Sequence, residues 1–259
     1  MIIEIGKTLR SKLTGRDAVF GPWVGLVEPT VVELLARQAF DFLLVDSEHS
    51  SIDAKHLGAL LPAADLYRMP VIFRTGSISP SEIKTALDSG AAGVMIPMVE
   101  TVEQAREIVA ASRYAPLGQR GIGPWRASGF YDQSDEYLRE ANAATTVIVQ
   151  IESARGLENV DAIASVEGVD ALFAGPADLA SSLGLTVGVM SDELVDALGR
   201  IAEAAARHGK VAAIDLASVD RLARLRALGY RLFTSGSDMD FITQSARRLL
   251  ADLSAASGR

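Results

Sequence analysis

The sequence predicts an α/β fold, a (β/α)8 TIM barrel forming a single domain over residues 1–259. Eight short apolar runs alternate with helical patterns along almost the whole chain. The runs are continuous in Val, Ile, Leu and Phe, as strands buried on both faces require. No linker or low-complexity stretch divides them. An open doubly wound sheet is the alternative arrangement of the same units.

In chain order the expected strands are residues 19–26, 42–45, 71–73, 93–97, 147–151, 171–174, 211–214 and 231–234. The segments between them carry helix-start chemistry. Thr30 with Glu33, Ser79 with Glu82 and Thr101 with Gln104 have capping-box spacing, and Pro80 suits a first helical position. Gly90 and Gly209 mark helix ends. Between residues 97 and 147 the rhythm breaks: one helix over 103–112 is followed by a glycine-rich stretch over 116–131. A loop this long in a compact domain is usually functional, so it is expected at the active site. The last helix, over 240–253, carries Ile242, Ala246, Leu249, Leu250 and Leu253 as an apolar stripe, which suits barrel closure or a subunit contact.

Composition removes several classes of function. A formal charge of -8 repels phosphate backbones, so no nucleic-acid partner is expected. The chain has no cysteine, which excludes disulfides, zinc–thiolate sites and cysteine nucleophiles. The N-terminal segment is broken by Glu4, Lys7 and Arg10 and has no apolar signal core, and no apolar run is long enough to span a bilayer. The expectation is a cytoplasmic protein without a membrane partner.

Catalytic groups in such a barrel gather at the C-terminal ends of the strands. The residues expected there are Asp46 to His49, Arg74, Gln150, Glu152, the run Gly175, Pro176, Ala177 and Asp178, then Asp215 and the segment ending at Asp238. Glu152 and Asp178 are carboxylates from adjacent strands, and a hard divalent cation such as magnesium or manganese would offset their repulsion. The bland alternative is that Asp178 starts a helix and Glu152 pairs with Arg155. His49 stands three residues beyond Asp46, which could orient it as a general base; a loop histidine satisfied by its surroundings is the alternative. Glu48 could compete as the base, though alternation along the strand is expected to turn it away from Asp46. Arg74 ends an apolar strand and needs an anion, either a substrate oxyanion or carboxylate or a structural pairing with Asp46 or Glu152, and the two are not exclusive. The backbone N–H groups after Gly175 lead into a helix and could receive a substrate carboxylate.

These residues resemble a known family. Leu44-Val-Asp-Ser-Glu-His-Ser-Ser-Ile-Asp53 is similar to a characteristic segment of the HpcH/HpaI aldolases. Arg74, the run from Gly90 to Val99, Arg120 to Gly123 with Arg126 and Ala127, Gln150 to Glu152 and Phe173 to Leu179 continue the likeness in order. The resemblance implies a barrel of the phosphoenolpyruvate/pyruvate type and a class II aldolase of the 4-hydroxy-2-oxoheptanedioate or 2-keto-3-deoxy-sugar-acid kind. It implies Glu152 and Asp178 as ligands of Mg, Mn or Co, and Asp46 and His49 as a proton-relaying dyad. It implies Arg74 at the carbonyl or enolate oxygen, Gln150 beside the metal, and the amides of Ala177 and Asp178 as a carboxylate cradle. A homohexamer built from dimers that exchange the C-terminal helix is implied as well. Two positions depart from relatives: Pro124 stands where some carry serine, and Asp215 where several aldolases carry an apolar residue shaping the aldehyde pocket.

The expected reaction joins or separates a 2-oxo acid such as pyruvate and an aldehyde through a metal-stabilised enolate. No lysine falls among the strand-end residues, which argues against a Schiff base. A citrate-lyase-like acyl-CoA lyase would need a basic strip for the CoA phosphates, and the chain shows none. A non-catalytic barrel that binds a small acid is the third reading.

Overall fold

Eight parallel strands close on themselves in chain order: β1 (Val19–Val24), β2 (Leu43–Asp46), β3 (Val71–Arg74), β4 (Gly93–Ile96), β5 (Thr146–Ile151), β6 (Ala171–Ala174), β7 (Val211–Asp215) and β8 (Leu232–Ser237). β8 pairs back onto β1, so no sheet edge remains open. The computed structural model describes residues 1–257. The helices are α1 (Ile2–Thr14), α2 (Pro29–Ala36), α3 (Leu57–Asp65), α4 (Pro80–Ser89), α5 (Val102–Ser112), α6 (Ser134–Ala144), α7 (Ala154–Glu158), α8 (Val160–Ala164), α9 (Pro176–Ser182), α10 (Asp192–Arg207), α11 (Leu222–Ala227) and α12 (Asp238–Ser257).

The continuous apolar runs serve two cores at once. Outward residues such as Leu43, Val45, Phe73, Val149, Leu172 and Ile214 pack with the helices in one cluster. Their alternates, among them Leu44, Ile72, Met95, Ile148, Phe173 and Leu232, fill the barrel interior. Ile5, Leu9 and Leu13, spaced four apart along α1, join that interior cluster and plug the N-terminal end. A fully buried side chain such as Leu9 contributes about 1.5–3 kcal/mol through burial alone.

Helix starts follow local chemistry. Ser79 Oγ accepts the Glu82 N–H at 3.3 Å, with Pro80 as first helical residue. Thr101 and Gln104 form the reciprocal capping box. Gly90 ends α4 at φ 104°, a left-handed conformation that a Cβ disfavours. At α2 the cap is Glu28, whose carboxylate accepts the Thr30 N–H at 3.0 Å, so Thr30 lies inside the first turn rather than at its cap. β1 stops at Val24 instead of continuing to residue 26, because the Gly25 and Leu26 N–H groups turn to the buried Asp238 carboxylate.

The interval after β4 differs from expectation. α6 follows the glycine-rich stretch, and that stretch lies at the N-terminal end of the barrel, away from the strand ends expected to hold the site. Arg120 pairs with Asp88 at 2.6 Å, and Arg126 binds Asp65 and the Ser89 carbonyl. Asp65, Asp88 and Ser89 end the helices that feed β3 and β4, which places the loop there. α12 meets β1 and β8 and leaves Ile242, Leu249, Leu250 and Leu253 exposed. Among the described residues no helix is long and apolar enough to cross a membrane.

Candidate active site

Strand parity builds the site. Leu44, Ile72, Ile148, Ala213 and Leu232 point into the barrel, so Asp46, Arg74, Gln150, Asp215 and Thr234, two residues further along, point inward above them. The strand ends surround a cavity of about 830 Å³ whose lining includes Trp23, Asp46, His49, Arg74, Gln150, Gly175 to Asp178 and Asp215. Glu152 lies against this wall and is only 3% exposed.

Asp46 and Arg74 are register partners across β2 and β3. Arg74 donates from Nε and Nη2 to the two carboxylate oxygens, each at 2.8 Å, and Asp46 also accepts the Glu48 N–H. The guanidinium rests over the Trp23 ring, 4.4 Å from its centroid. Trp23 Nε1 donates to Asp215 Oδ1 at 2.9 Å, and Thr234 Oγ1 donates to the same oxygen at 2.8 Å. A continuous polar chain therefore runs from Asp215 through Trp23 and Arg74 to Asp46.

Glu152 is held from two sides. Its Oε1 accepts the Met98 N–H at 2.8 Å, and its Oε2 accepts from Gln150 Nε2. A Cβ at Gly175 would stand 2.5 Å from that Oε2, so only glycine lets β6 approach this closely. Burial pushes the Glu152 carboxyl up to about 7; the Met98 and Gln150 hydrogen bonds oppose this, while the charges of Glu48 and Asp178 reinforce it. Asp178 itself is exposed in the first turn of α9.

Glu48 stands at the strand end as expected, but its orientation differs from the expected one. Its parity is that of Leu44 and Asp46, so it faces the mouth rather than away from Asp46. Its Oε2 lies 2.8 Å from Arg74 Nη1 but lacks the alignment of a hydrogen bond. Burial raises its pKa; Arg74 and His49 oppose the shift, and Asp46 and Asp178 add to it. His49 lines the cavity with its side chain 66% exposed, 3.9 Å from Glu48 Oε2. The expected Asp46–His49 hydrogen bond is not found among the described residues, because the Asp46 carboxylate is committed to Arg74 and the Glu48 amide. Trp23 and Thr234 were missed, although both share the inward parity of their strands.

The mouth thus gathers Asp46, Glu48, Glu152 and Asp178 around one guanidinium. The Glu48 Oε2 and Gln150 Oε1 atoms are buried without hydrogen-bond partners. Among the described residues no three His, Cys, Asp or Glu side chains converge as a ready-made metal ligand set.

A family model described as HpcH/HpaI aldolase/citrate lyase matches residues 20–244. A hydroxypyruvate/pyruvate aldolase from Deinococcus radiodurans is 39% identical over 253 residues, covering 95% of this chain and 90% of its own. A 4-hydroxy-2-oxovalerate aldolase from Novosphingobium aromaticivorans is 43% identical over 197 residues, 75% of this chain and 74% of its own. The crystal structure of an HpcH/HpaI aldolase/citrate lyase family protein from Burkholderia cenocepacia has a TM-score of 0.89 and 34% identity, covering 95% of this chain and 99% of that one. The chain therefore belongs to the HpcH/HpaI aldolase/citrate lyase family and is a carbon–carbon lyase of the class II aldolase type.

Proposed function

We propose that the barrel mouth cleaves and forms 4-hydroxy-2-oxo acids, with pyruvate or hydroxypyruvate as the 2-oxo acid and an aldehyde as the other half. The observation that carries this reading is Glu152: a carboxylate 3% exposed, pushed up to about 7, with neighbouring acids that deepen the strain. Such a group fits a divalent cation as its partner. Apart from the exposed His49 imidazole, the site offers oxygen donors, an excess of carboxylates over guanidinium, and orphaned oxygens on Gln150 and Glu48. Glu152 and Asp178 would hold a hard divalent ion, with remaining positions left to water and substrate, as magnesium and manganese prefer; cobalt is admissible by the same donors. When bound, the ion supplies Lewis-acid polarisation of the 2-oxo acid.

The chain's own residues do the rest. Arg74, fixed by Asp46 and Trp23, presents its guanidinium to the oxygen that gains charge as the C3–C4 bond breaks. The backbone N–H groups of Ala177 and Asp178 at the start of α9 receive the substrate carboxylate, with Gly175 and Pro176 forming the approach. His49, at the open side of the mouth, accepts the C4 hydroxyl proton in cleavage and returns it in synthesis. Asp46 acts by holding Arg74 in place for bond cleavage, and Glu48 is the nearer carboxylate to the imidazole. Asp215 borders the space left for the aldehyde. The proposal extends to a cytoplasmic location and a homohexamer; the exposed apolar stripe of α12 supports self-association.

The test is deuterium exchange into the pyruvate methyl group, with and without EDTA, in the wild type and Glu152→Ala. Exchange that needs a divalent ion and disappears in the variant supports the proposal. Metal-dependent exchange persisting in Glu152→Ala refutes the ligand assignment.

A further inference from the structure

A second concavity, of about 760 Å³, opens at the opposite end of the barrel from the catalytic mouth. It lies between the end of α1 and the segments leading into β6, β7 and β8. Four cations line it, Arg10, Arg113, Lys210 and Arg231, against two carboxylates, Asp170 and Glu167. A local positive excess is unusual in a chain whose formal charge is -8.

The cations divide into two pairs. Arg10 and Arg113 grip Asp170 from both sides, at 2.7 and 3.0 Å, and also donate to the Thr145 carbonyl. Those two tie α1 and α5 to the β6 approach and are structural. Lys210 and Arg231 are different. The Lys210 ammonium donates at 3.1 Å to the Val166 carbonyl, and Arg231 donates to the Leu13 carbonyl. Neither makes an ion pair with a carboxylate among the described residues, although both sit half-buried at the starts of adjacent strands. Burial lowers the Lys210 pKa, opposed by Asp170 and Glu167, so its charge is only partly compensated. Carbonyl acceptors satisfy donors but do not neutralise charge.

We propose that this cleft is a second binding site, for a small oxyanion carrying two or more negative charges, held by Lys210 and Arg231. The shared chemistry covers phosphates and polycarboxylates. Glu167 limits affinity by repulsion, and the site rests on none of the roles assigned at the catalytic mouth.

Isothermal titration calorimetry of the metal-free, full-length protein with pyrophosphate and with tricarballylate tests it. Saturable binding of either supports the site, and the tighter one assigns phosphate or carboxylate as the preferred group. Lys210→Met and Arg231→Gln should each weaken binding by about tenfold or more, the scale of one charge-assisted hydrogen bond. Glu167→Gln should tighten it, a gain that misfolding cannot mimic, and raised salt should weaken it. Arg74→Gln should leave it intact. Absence of saturable binding of both anions, or loss of binding in Arg74→Gln with retention in Lys210→Met, overturns the proposal.

Discussion

Arg74 and Asp46 meet across β3 and β2 through two parallel hydrogen bonds of 2.8 Å, with the guanidinium stacked over Trp23. Both side chains are buried, so the pair is a fixed element of the site rather than a surface ion pair. Its geometry needs the planar fork of arginine. Arg74→Lys keeps the charge but loses the second hydrogen bond and the stacked plane. The expected result is a fall in kcat of about 10²–10³, the scale of removing an oxyanion donor, with a smaller change in KM. Steady-state kinetics of 4-hydroxy-2-oxo acid cleavage measure it. A variant with wild-type kcat would show that the bidentate geometry is irrelevant to turnover.

Gly175 sets how close β6 comes to Glu152. Gly175→Ala places a methyl group 2.5 Å from Glu152 Oε2 and 3.0 Å from Gln150 Nε2. Either the carboxylate swings away or β6 shifts, and overpacking of this kind costs about 1–3 kcal/mol. The expected outcome is a lower Tm and Mn²⁺ binding at least about tenfold weaker, on the scale seen when a ligand's support is disturbed. Titration of Mn²⁺ by electron paramagnetic resonance reads this directly, and unchanged affinity would mean that Glu152 is not a ligand.

The raised pKa of Glu152 makes metal-free stability depend on pH. The folded carboxyl sits at about 7, against an ordinary value of 4.5 in the unfolded chain. Between those values the native state holds a proton that the unfolded state has released. The contribution is therefore fully present below 4.5 and is lost as pH rises through 7. Each pKa unit is worth about 1.4 kcal/mol, so the swing is of order 3 kcal/mol. Other carboxylates titrate too, so the readout is the difference between the wild type and Glu152→Gln. Denaturant titrations in EDTA from pH 5 to 8 should show the wild type losing ground to the variant as pH rises. Parallel curves would rule out the burial effect.

The barrel was legible because its signal is repeated: eight apolar runs, each serving an inner and an outer core, leave little freedom in topology. Strand-end polar residues were legible for the same reason, since Asp46, Arg74 and Gln150 each interrupt an apolar inward register. Glu48 was legible as a strand-end residue but not in its direction, because it lies beyond the last paired residue of β2; parity carried past the strand end turns it toward the mouth. The pairing of Asp46 with Arg74 stood in the sequence as an alternative beside His49, and the cross-strand register decides for it by placing Arg74 directly opposite. The glycine-rich loop was assigned to the active site by its length, which carries no information about which end of a barrel it caps. Its arginines answer to Asp65 and Asp88, contacts between residues 61 and 32 positions apart that no local pattern encodes.

Asp215 marks the part of the site where substrate choice should be decided. Its Oδ1 accepts from Trp23 and Thr234, and its Oδ2 accepts the Ala217 N–H at 3.1 Å, so the carboxylate is anchored while its charge still faces the cavity. An aldehyde carrying its own carboxylate would meet that charge. Asp215→Asn retains an acceptor oxygen for Trp23 and Thr234 and removes the repulsion, which at partly solvated separations is worth roughly 1–2 kcal/mol. The expected outcome is a gain of about tenfold in kcat/KM for succinic semialdehyde relative to glycolaldehyde as acceptor. Deuterium exchange into pyruvate should stay near the wild-type rate, because that step precedes aldehyde binding. Parallel loss with both aldehydes, accompanied by slowed exchange, would instead assign Asp215 to supporting Trp23 beneath Arg74.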